Sequence, residues 1–175
     1  MSAAQTSRWR VSQVDYQDPQ QMRDLLNLLD GYARDPMGGG EPLRAEVLAR
    51  LPQAMASRPH LFSVMAFDDA QGGLPIGLVN CIEGFSTFAA QALVNIHDVV
   101  VVPSHRGRGV GLALFEAVEA LARARGACKL TLEVLSGNRP AQALYRRMGF
   151  VNYQLDPALG EAWMMQKWLE PNAKA

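Results

Sequence analysis

The sequence predicts a mixed α/β (α+β) fold, in which a mostly antiparallel sheet of about seven strands is flanked by about four helices. Strand-like segments come first and are followed by one strand, helix, strand unit, an order that requires a mixed sheet. Segment 93–102 ends in consecutive valines without alternation, which indicates a strand covered on both faces at the sheet centre. With 175 residues and 19.1 kDa, the chain is expected to form a single domain over residues 1–175.

The strands are expected where β-branched and aromatic residues run between turn signals. The turn at 68–73 makes a hairpin of the strands on either side of it. In the tail, an Asp156-Pro157 turn separates the last two strands. The expected strands are residues 8–14, 61–67, 76–85, 93–102, 129–135, 150–155 and 163–168.

Helices are expected where apolar residues recur at helical spacing. Pro19 begins the first helix, while Gly126 and Gly149 end the third and fourth. The segment 35–42 contains two prolines and three glycines, so we expect a mobile connection there. The expected helices are residues 19–32, 43–55, about 110–125 and 138–148.

Composition excludes several classes of protein. Lys plus Arg and Asp plus Glu number 17 each, so the chain is not a generally basic binder of nucleic acid or membranes. An apolar content of 49% excludes intrinsic disorder. Cys81 and Cys128 have no Cys or His at ligand spacing, so no disulfide and no metal site is expected. Without a signal peptide or membrane span, a cytoplasmic location is expected.

A glycine-rich loop after the fourth strand predicts an anion site. Gly107, Gly109 and Gly111 let backbone amides converge at the start of a helix, where the helix dipole also favours negative charge. Arg106 and Arg108 add positive charge. A tight turn without a ligand is the alternative reading of this loop.

Two common nucleotide motifs do not match this loop. A Walker loop requires Gly-Lys-Ser/Thr, a string that the chain lacks. A dinucleotide fingerprint requires a third glycine where this chain has Leu112 or Leu114, depending on the glycine from which the count begins.

The pattern Arg-x-x-Gly-x-Gly, read from Arg106 to Gly111, resembles the acetyl-CoA pyrophosphate loop of the GNAT superfamily of N-acetyltransferases. The resemblance extends over residues 96–103 and 138–150, and the order of elements agrees with that fold. It implies that acetyl-CoA (coenzyme A) is the cofactor. The residues that would hold the pyrophosphate are Arg106, Gly107, Arg108, Gly109, Val110 and Gly111.

One face of the fourth helix carries Asn138, Ala141 and Tyr145 at spacings of three and four. The resemblance implies that the pantetheine arm lies along this face, with Asn138 bonded to it and the Tyr145 hydroxyl near the sulfur. Tyr145 is then the general acid that protonates the leaving thiolate. A helix cap for Asn138 and core packing for Tyr145 are the structural alternatives.

Alternation along the fourth strand predicts one common face for Asn95, His97, Val99 and Val101. The resemblance implies that pantetheine bonds to the backbone near Val99 and Val101. It places His97 beside the acetyl group as the candidate general base, where the diamine acetyltransferase branch has a Glu before the Asp.

Two alternatives to this base stay open. A water chain ending at a backbone carbonyl or at Glu83 could accept the proton, and His97 could be a half-buried histidine bonded to the backbone. Asp98 is expected to face the other way and to be structural. Covalent catalysis is disfavoured because neither cysteine has an activating neighbour, and Cys128 is expected to be buried.

The acceptor is expected opposite the cofactor, as the resemblance implies, between residues 32–43, residues 83–88 and the tail near Trp163. Phe88 and Trp163 are expected to line an apolar wall or to pack in the core. Candidate substrate contacts are Tyr32, Glu83, Phe85, Asn95 and His97. The expected partner is a small-molecule or peptide amine, with no nucleic acid and no membrane, and a homodimer is the expected assembly. A non-enzymatic acyl-CoA sensor is the alternative to an enzyme.

Overall fold

The computed structural model describes residues 9–156, 158, 160 and 162–169. These residues form two compact units, divided between Leu132 and Glu133. The elements in chain order are β1 (Arg10–Gln13), α1 (Pro19–Ala33), α2 (Ala45–Ala56), β2 (Leu61–Asp68), β3 (Leu74–Ser86), β4 (Gln91–Val101), α3 (Val110–Ala124), β5 (Leu130–Leu132) and α4 (Arg139–Arg147).

The predicted helices are confirmed, each end lying within two residues of the expectation. Local chemistry sets these ends. Asp18 begins α1 because its carboxylate accepts the backbone N–H groups of Gln20 and Gln21, while Pro19 fills the first helical position without needing an acceptor. The hydrogen bond from the Gln21 side-chain amide, together with these backbone bonds, holds the pKa of Asp18 below its usual range. Among the described residues, no helix is long and apolar enough to cross a membrane.

In the residues that the structure describes, the sheet has five strands in the order β1, β2, β3, β4, β5, with antiparallel neighbours except for the parallel pair β4 and β5. The mixed, mostly antiparallel class is therefore confirmed, but the count of seven strands is wrong. The described residues of 150–155 and 163–168 carry no strand, and Val151 and Trp163 are exposed. Alternation predicts only which face a strand would bury, whereas a strand exists only when its backbone pairs with a neighbour. The expected turn residue Pro157 and residue 8 of the first predicted strand lie outside the described residues.

Helices cover both faces of the sheet. Opposed residues in antiparallel strands point to the same side, so the pairing identifies two faces. On one face, Gly77 lies so close to Leu114 of α3 that a Cβ there would come within 2.9 Å of it. On the other face, Leu78 and Val100 pack with Leu25 of α1. We call these the α3 face and the α1 face.

The strand at the centre of the sheet is β3, and the expectation that the valine-rich strand β4 is central is wrong. Strand β4 is second from the edge. Its valines reflect cover by α3 on one side and α1 on the other, and Val94 and Val100 are buried whereas Val99 and Val101 are only partly buried.

A bulge interrupts β4 at His97. Asn80 on β3 lies opposite Asp98, and the next residue, Cys81, lies opposite Ile96. His97 is therefore the extra residue of β4 and has no residue opposite it on β3. Its side chain is exposed.

The bulge overturns the predicted common face of β4. Asn95 lies opposite Ile82, and Val99 lies opposite Val79. Ile82 and Val79 are three residues apart on a regular strand, so they point to opposite faces and so do their partners. Val99 and Val101 lie on the α3 face, while Asn95 lies on the α1 face, because one extra residue reverses the alternation beyond it.

Candidate active site

The loop before α3 exposes backbone donors at a helix start. Gly107 and Gly109 have φ values of 72° and 88°, in the left-handed region that only glycine adopts without strain. Gly109 caps α3 without a side-chain bond, and the first helical bond runs from Ala113 N–H to its carbonyl at 3.1 Å. The amides of Val110 and Gly111 precede that bond and have no helical acceptor. Buried Val110 fixes the helix start, and this geometry is suited to an anion.

The backbone of β4 is open beside this loop. Strands β4 and β5 pair only from Val94 to Ile96, opposite Leu130 to Leu132. Within the described residues, no β5 residue pairs with Val99 or Val101, and the Val101 carbonyl on that edge accepts a hydrogen bond from the Arg106 side chain instead.

The two arginines of the loop are already engaged. Arg106 forms an ion pair with Asp35 at 2.8 Å, and its Nε donates to the Val101 carbonyl at 3.0 Å. The guanidinium of Arg108 lies 5.2 Å above the Trp9 ring. The hydrogen bond from Arg106 is the main reason that the pKa of Asp35 is lowered. The ion pair therefore ties the loop to the connection between α1 and α2.

That connection, expected to be mobile, is a hydrogen-bonded loop in the structure. The Asp35 carbonyl accepts the N–H groups of Gly38 at 2.7 Å and Gly40 at 3.1 Å, and its carboxylate accepts that of Met37 at 2.9 Å. Gly38 lies against the Tyr32 carbonyl so closely that any Cβ would overlap it. The absence of regular structure, which proline and glycine predict, is confirmed.

A row of polar side chains crosses the α1 face and ends at Asp98. Asn80 Nδ2 donates to Asp98 Oδ2 at 3.0 Å, and Ser63 Oγ donates to Asn80 Oδ1 at 2.6 Å. Tyr16 OH lies 2.7 Å from Ser63 Oγ, and since the single Ser63 proton is used, Tyr16 is the donor there. The three hydrogen bonds thus run one after another, from Tyr16 to Ser63 to Asn80, and end at the Asp98 carboxylate. The last of them fixes Asp98 beside the bulge at His97.

The charge of Asp98 acts on a predicted substrate residue. Burial raises the pKa of Tyr32, and the negative charges of Asp98 and Asp35 raise it further. Tyr32 is therefore a neutral hydrogen-bond donor at physiological pH, and its hydroxyl lies 3.4 Å from the Met37 carbonyl. Asp98, expected to be structural, thus lies among groups suited to a cationic amine. Sequence spacing carries no signal for this, because the arrangement depends on strand pairing.

The other predicted substrate residues lie apart. Glu83 forms an ion pair with Arg125 at 2.9 Å. Asn95 Nδ2 donates to Thr131 Oγ1 of β5 at 3.2 Å. Glu83 follows Ile82, the residue opposite Asn95, so the side chains of Glu83 and Asn95 point to different faces. Phe85 is 65% exposed and Phe88 fully exposed, so neither packs in the core.

The second unit holds the predicted pantetheine residues on α4. Asn138 begins this helix and accepts the Ala141 N–H at 3.3 Å. Tyr145 is buried, with its ring centroid 6.0 Å from that of Phe150. Both structural alternatives from the sequence are thus realised within this unit, a cap for Asn138 and aromatic packing for Tyr145.

Neither cysteine has the features of a nucleophile. Burial raises the pKa of the Cys81 thiol to about 12, so the thiolate is scarce at neutral pH. Cys128 is exposed, contrary to expectation, because it precedes β5 at the sheet edge, where its N–H donates to the Ala92 carbonyl at 2.8 Å. In the part of the chain that the structure describes, no three His, Cys, Asp or Glu side chains could together hold a metal ion.

Several known proteins resemble this chain in sequence or in fold. The model of the Acetyltransferase (GNAT) family matches residues 22–150. Streptothricin acetyltransferase from Streptomyces lavendulae is 39% identical over 94 residues, which are 52% of this chain and 50% of the relative. Thialysine N-epsilon-acetyltransferase from Mus musculus is 31% identical over 81 residues, 46% of this chain and 47% of the relative. The chain therefore spans about half the length of these curated relatives. A crystal structure of a probable acetyltransferase superposes with a TM-score of 0.76 at 18% identity, covering 92% of this chain and 99% of that one, which shows a shared fold.

Proposed function

Because this chain belongs to the GNAT acetyltransferase family, we propose that it transfers the acetyl group of acetyl-CoA to a primary amine of a small molecule or peptide. The observation that carries the proposal is the loop before α3, where left-handed Gly107 and Gly109 leave backbone donors at a helix start. The anion that fits there is the diphosphate of coenzyme A.

The remaining cofactor contacts come from backbone and from α4. The edge of β4 that β5 does not pair with at Val99 supports an amide-bearing arm such as pantetheine, which can pair with it as a strand would, and at Val101 the arm would compete with Arg106 for the carbonyl. The family resemblance adds Asn138 and Ala141 of α4 as proposed pantetheine contacts, a role compatible with the cap that Asn138 forms. These assignments give the cofactor a binding site made mainly of main-chain groups.

The chemistry is direct attack in a ternary complex. The amine nitrogen bonds to the thioester carbonyl carbon, the bond from that carbon to sulfur breaks, and the leaving thiolate takes a proton from Tyr145. The proton lost by the amine goes to a base at the β4 bulge, and His97 is our candidate, with Asp98 as the neighbouring carboxylate that orients the ammonium form of the acceptor. The raised pKa of Cys81 supports direct attack over a covalent intermediate.

An amine acceptor also agrees with the similar proteins, one named for streptothricin and another for the epsilon nitrogen of thialysine. On this chain, the fixed Asp98 carboxylate and the neutral Tyr32 hydroxyl are suited to a cationic acceptor. The acceptor class we propose is a small basic amine rather than a neutral one.

Release of free coenzyme A from acetyl-CoA, followed over a panel of amines, tests this function. The panel holds basic amino acids, an aminoglycoside, a streptothricin-type antibiotic and a short peptide, each beside its acetylated form as a control. We expect release that depends on a free amine. Tight acetyl-CoA binding without release with any amine would support the sensor alternative, and absence of cofactor binding would overturn both functions.

A further inference from the structure

A cluster of buried polar side chains lies against the cofactor loop, and we call Trp9, Asp68 and His105 the anchor cluster. His105 is 2% exposed, and both of its ring nitrogens are bonded. Its Nε2 lies 3.1 Å from Asp68 Oδ2, and its Nδ1 lies 2.9 Å from Ser104 Oγ. His105 directly precedes the loop, so the end of β2, which holds Asp68, fixes the point where the loop begins.

Asp68 is held as a carboxylate by several donors. It accepts Gln71 Nε2 at 2.6 Å and the Ala70 N–H at 3.1 Å, in addition to His105. The hydrogen bond with His105 is the largest cause of the lowered pKa of Asp68. A buried carboxylate with this many partners is costly to disturb, so it is a rigid support for the histidine ring.

Trp9 reaches the loop itself. Its indole Nε1–H donates to the Arg108 carbonyl at 3.2 Å, and its ring meets the His105 ring edge to face with centroids 5.6 Å apart. In a trans peptide the carbonyl of one residue and the N–H of the next point in opposite directions. Fixing the Arg108 carbonyl toward Trp9 therefore turns the Gly109 N–H to the other side of the loop.

We propose that Trp9, His105 and Asp68 are positioning residues that set the peptide between Arg108 and Gly109, so that the Gly109 N–H faces the coenzyme A diphosphate. The inference rests on the proposed function. In this role the cluster acts through the loop, which it keeps in its binding conformation before the ligand arrives, and this lowers the ordering cost of binding.

Calorimetric titration with coenzyme A tests this in three variants of the full chain. Trp9→Phe keeps an aromatic ring and removes the donor to Arg108. Asp68→Asn keeps the size and the oxygen that caps Ala70 and removes the charge that faces His105. Asp69→Asn is the matched control, because Asp69 is the next residue and its ion pair with exposed Arg10 does not touch the loop.

We expect the Kd for coenzyme A to rise about two- to tenfold in Trp9→Phe, the range of one net hydrogen bond, and by at least as much in Asp68→Asn, with no change in Asp69→Asn. In turnover, KM for acetyl-CoA should rise while kcat and KM for the amine stay constant, a split that a general loss of folded protein would not produce.

The outcomes separate the two proposals. Unchanged Kd in both Trp9→Phe and Asp68→Asn, or an equal rise in Asp69→Asn, overturns the positioning role while the proposed function stands. A wild-type chain that does not bind coenzyme A overturns the proposed function first. If Asp68→Asn does not fold, Trp9→Phe decides alone, since it leaves the Asp68 to His105 bond in place.

Discussion

The loop that we propose to bind the cofactor and the side of β4 that we propose to bind the acceptor are built from different groups. The loop from Arg106 to Gly111 presents backbone amides, and its arginine side chains are bonded to other parts of the protein. The acceptor side presents side chains that converge from separate elements on Asp98 and on the bulge at His97. A main-chain site is specified by glycine spacing over a few residues, whereas a side-chain site is specified by strand register.

This difference separates what each region can do. Backbone amides bind and orient a ligand but do not act as acids or bases at neutral pH, so changes in the loop should alter cofactor affinity. Titratable side chains move protons, so changes to these side chains should alter turnover. Three substitutions test that division, and a fourth, Asp35→Asn, tests how strongly the loop is held to the connection between α1 and α2.

The largest effect is expected for Tyr145→Phe. Loss of the phenolic proton removes leaving-group protonation, and kcat should fall by about a hundredfold or more. Cofactor affinity, measured by calorimetry, should stay near that of the wild type because the ring is kept. A wild-type rate in a variant that binds normally would show that Tyr145 is only the packing partner of Phe150.

His97→Ala should come next, with kcat/KM lower by about a hundredfold. Cofactor affinity, measured by calorimetry, should stay near that of the wild type. Asp98→Asn is the paired variant. If the alanine variant keeps the wild-type rate and Asp98→Asn loses it, the base is the carboxylate at the bulge.

Gly109→Val should weaken coenzyme A binding by about tenfold or more. A β-branched residue at a φ of 88° is strained, and relief of the strain turns the loop amides away. Gly126→Val is the control, since Gly126 has a φ of 73° beyond the other end of α3. Both variants should lose similar stability, about 1–2 kcal/mol. Equal loss of binding in the two would mean that strain alone, and not the loop, is responsible.

The smallest effect is expected for Asp35→Asn, at below about 1 kcal/mol of unfolding free energy, because Arg106 is half exposed. The pKa of Asp35 is lowered in the folded state, so its contribution is complete above the ordinary carboxyl pKa and is lost as pH falls through the lowered value. The variant should therefore show a shallower loss of stability in acid, measured by denaturant titration from neutral to acidic pH.

The sequence predicts the glycine loop because the residues that determine its backbone conformation are neighbours in the chain. Gly107 and Gly109 adopt the positive φ that their spacing suggests, and Asn138 caps the helix that it precedes. The bulge at His97 has no such signal, since one strand does not reveal where its neighbour slips by a residue.

Contacts between residues that are far apart in the chain could not be predicted from the sequence either, because they also depend on how the elements pair. Trp9 and Arg108 are bonded although 99 positions separate them. The tail, by contrast, had the alternation of two strands and formed neither in its described residues, because alternation does not supply a pairing partner.

The unequal burial of the two cysteines has a practical consequence for any assay that detects released coenzyme A by its thiol. Cys81 is buried with a pKa of about 12, whereas Cys128 is exposed. A thiol reagent at neutral pH should therefore react at once with one thiol per chain, whether or not substrate is present. Turnover should appear as a continuing rise in signal above that first step. Cys128→Ser removes the step, and in the unmodified chain the same thiol accepts a single fluorophore without further engineering.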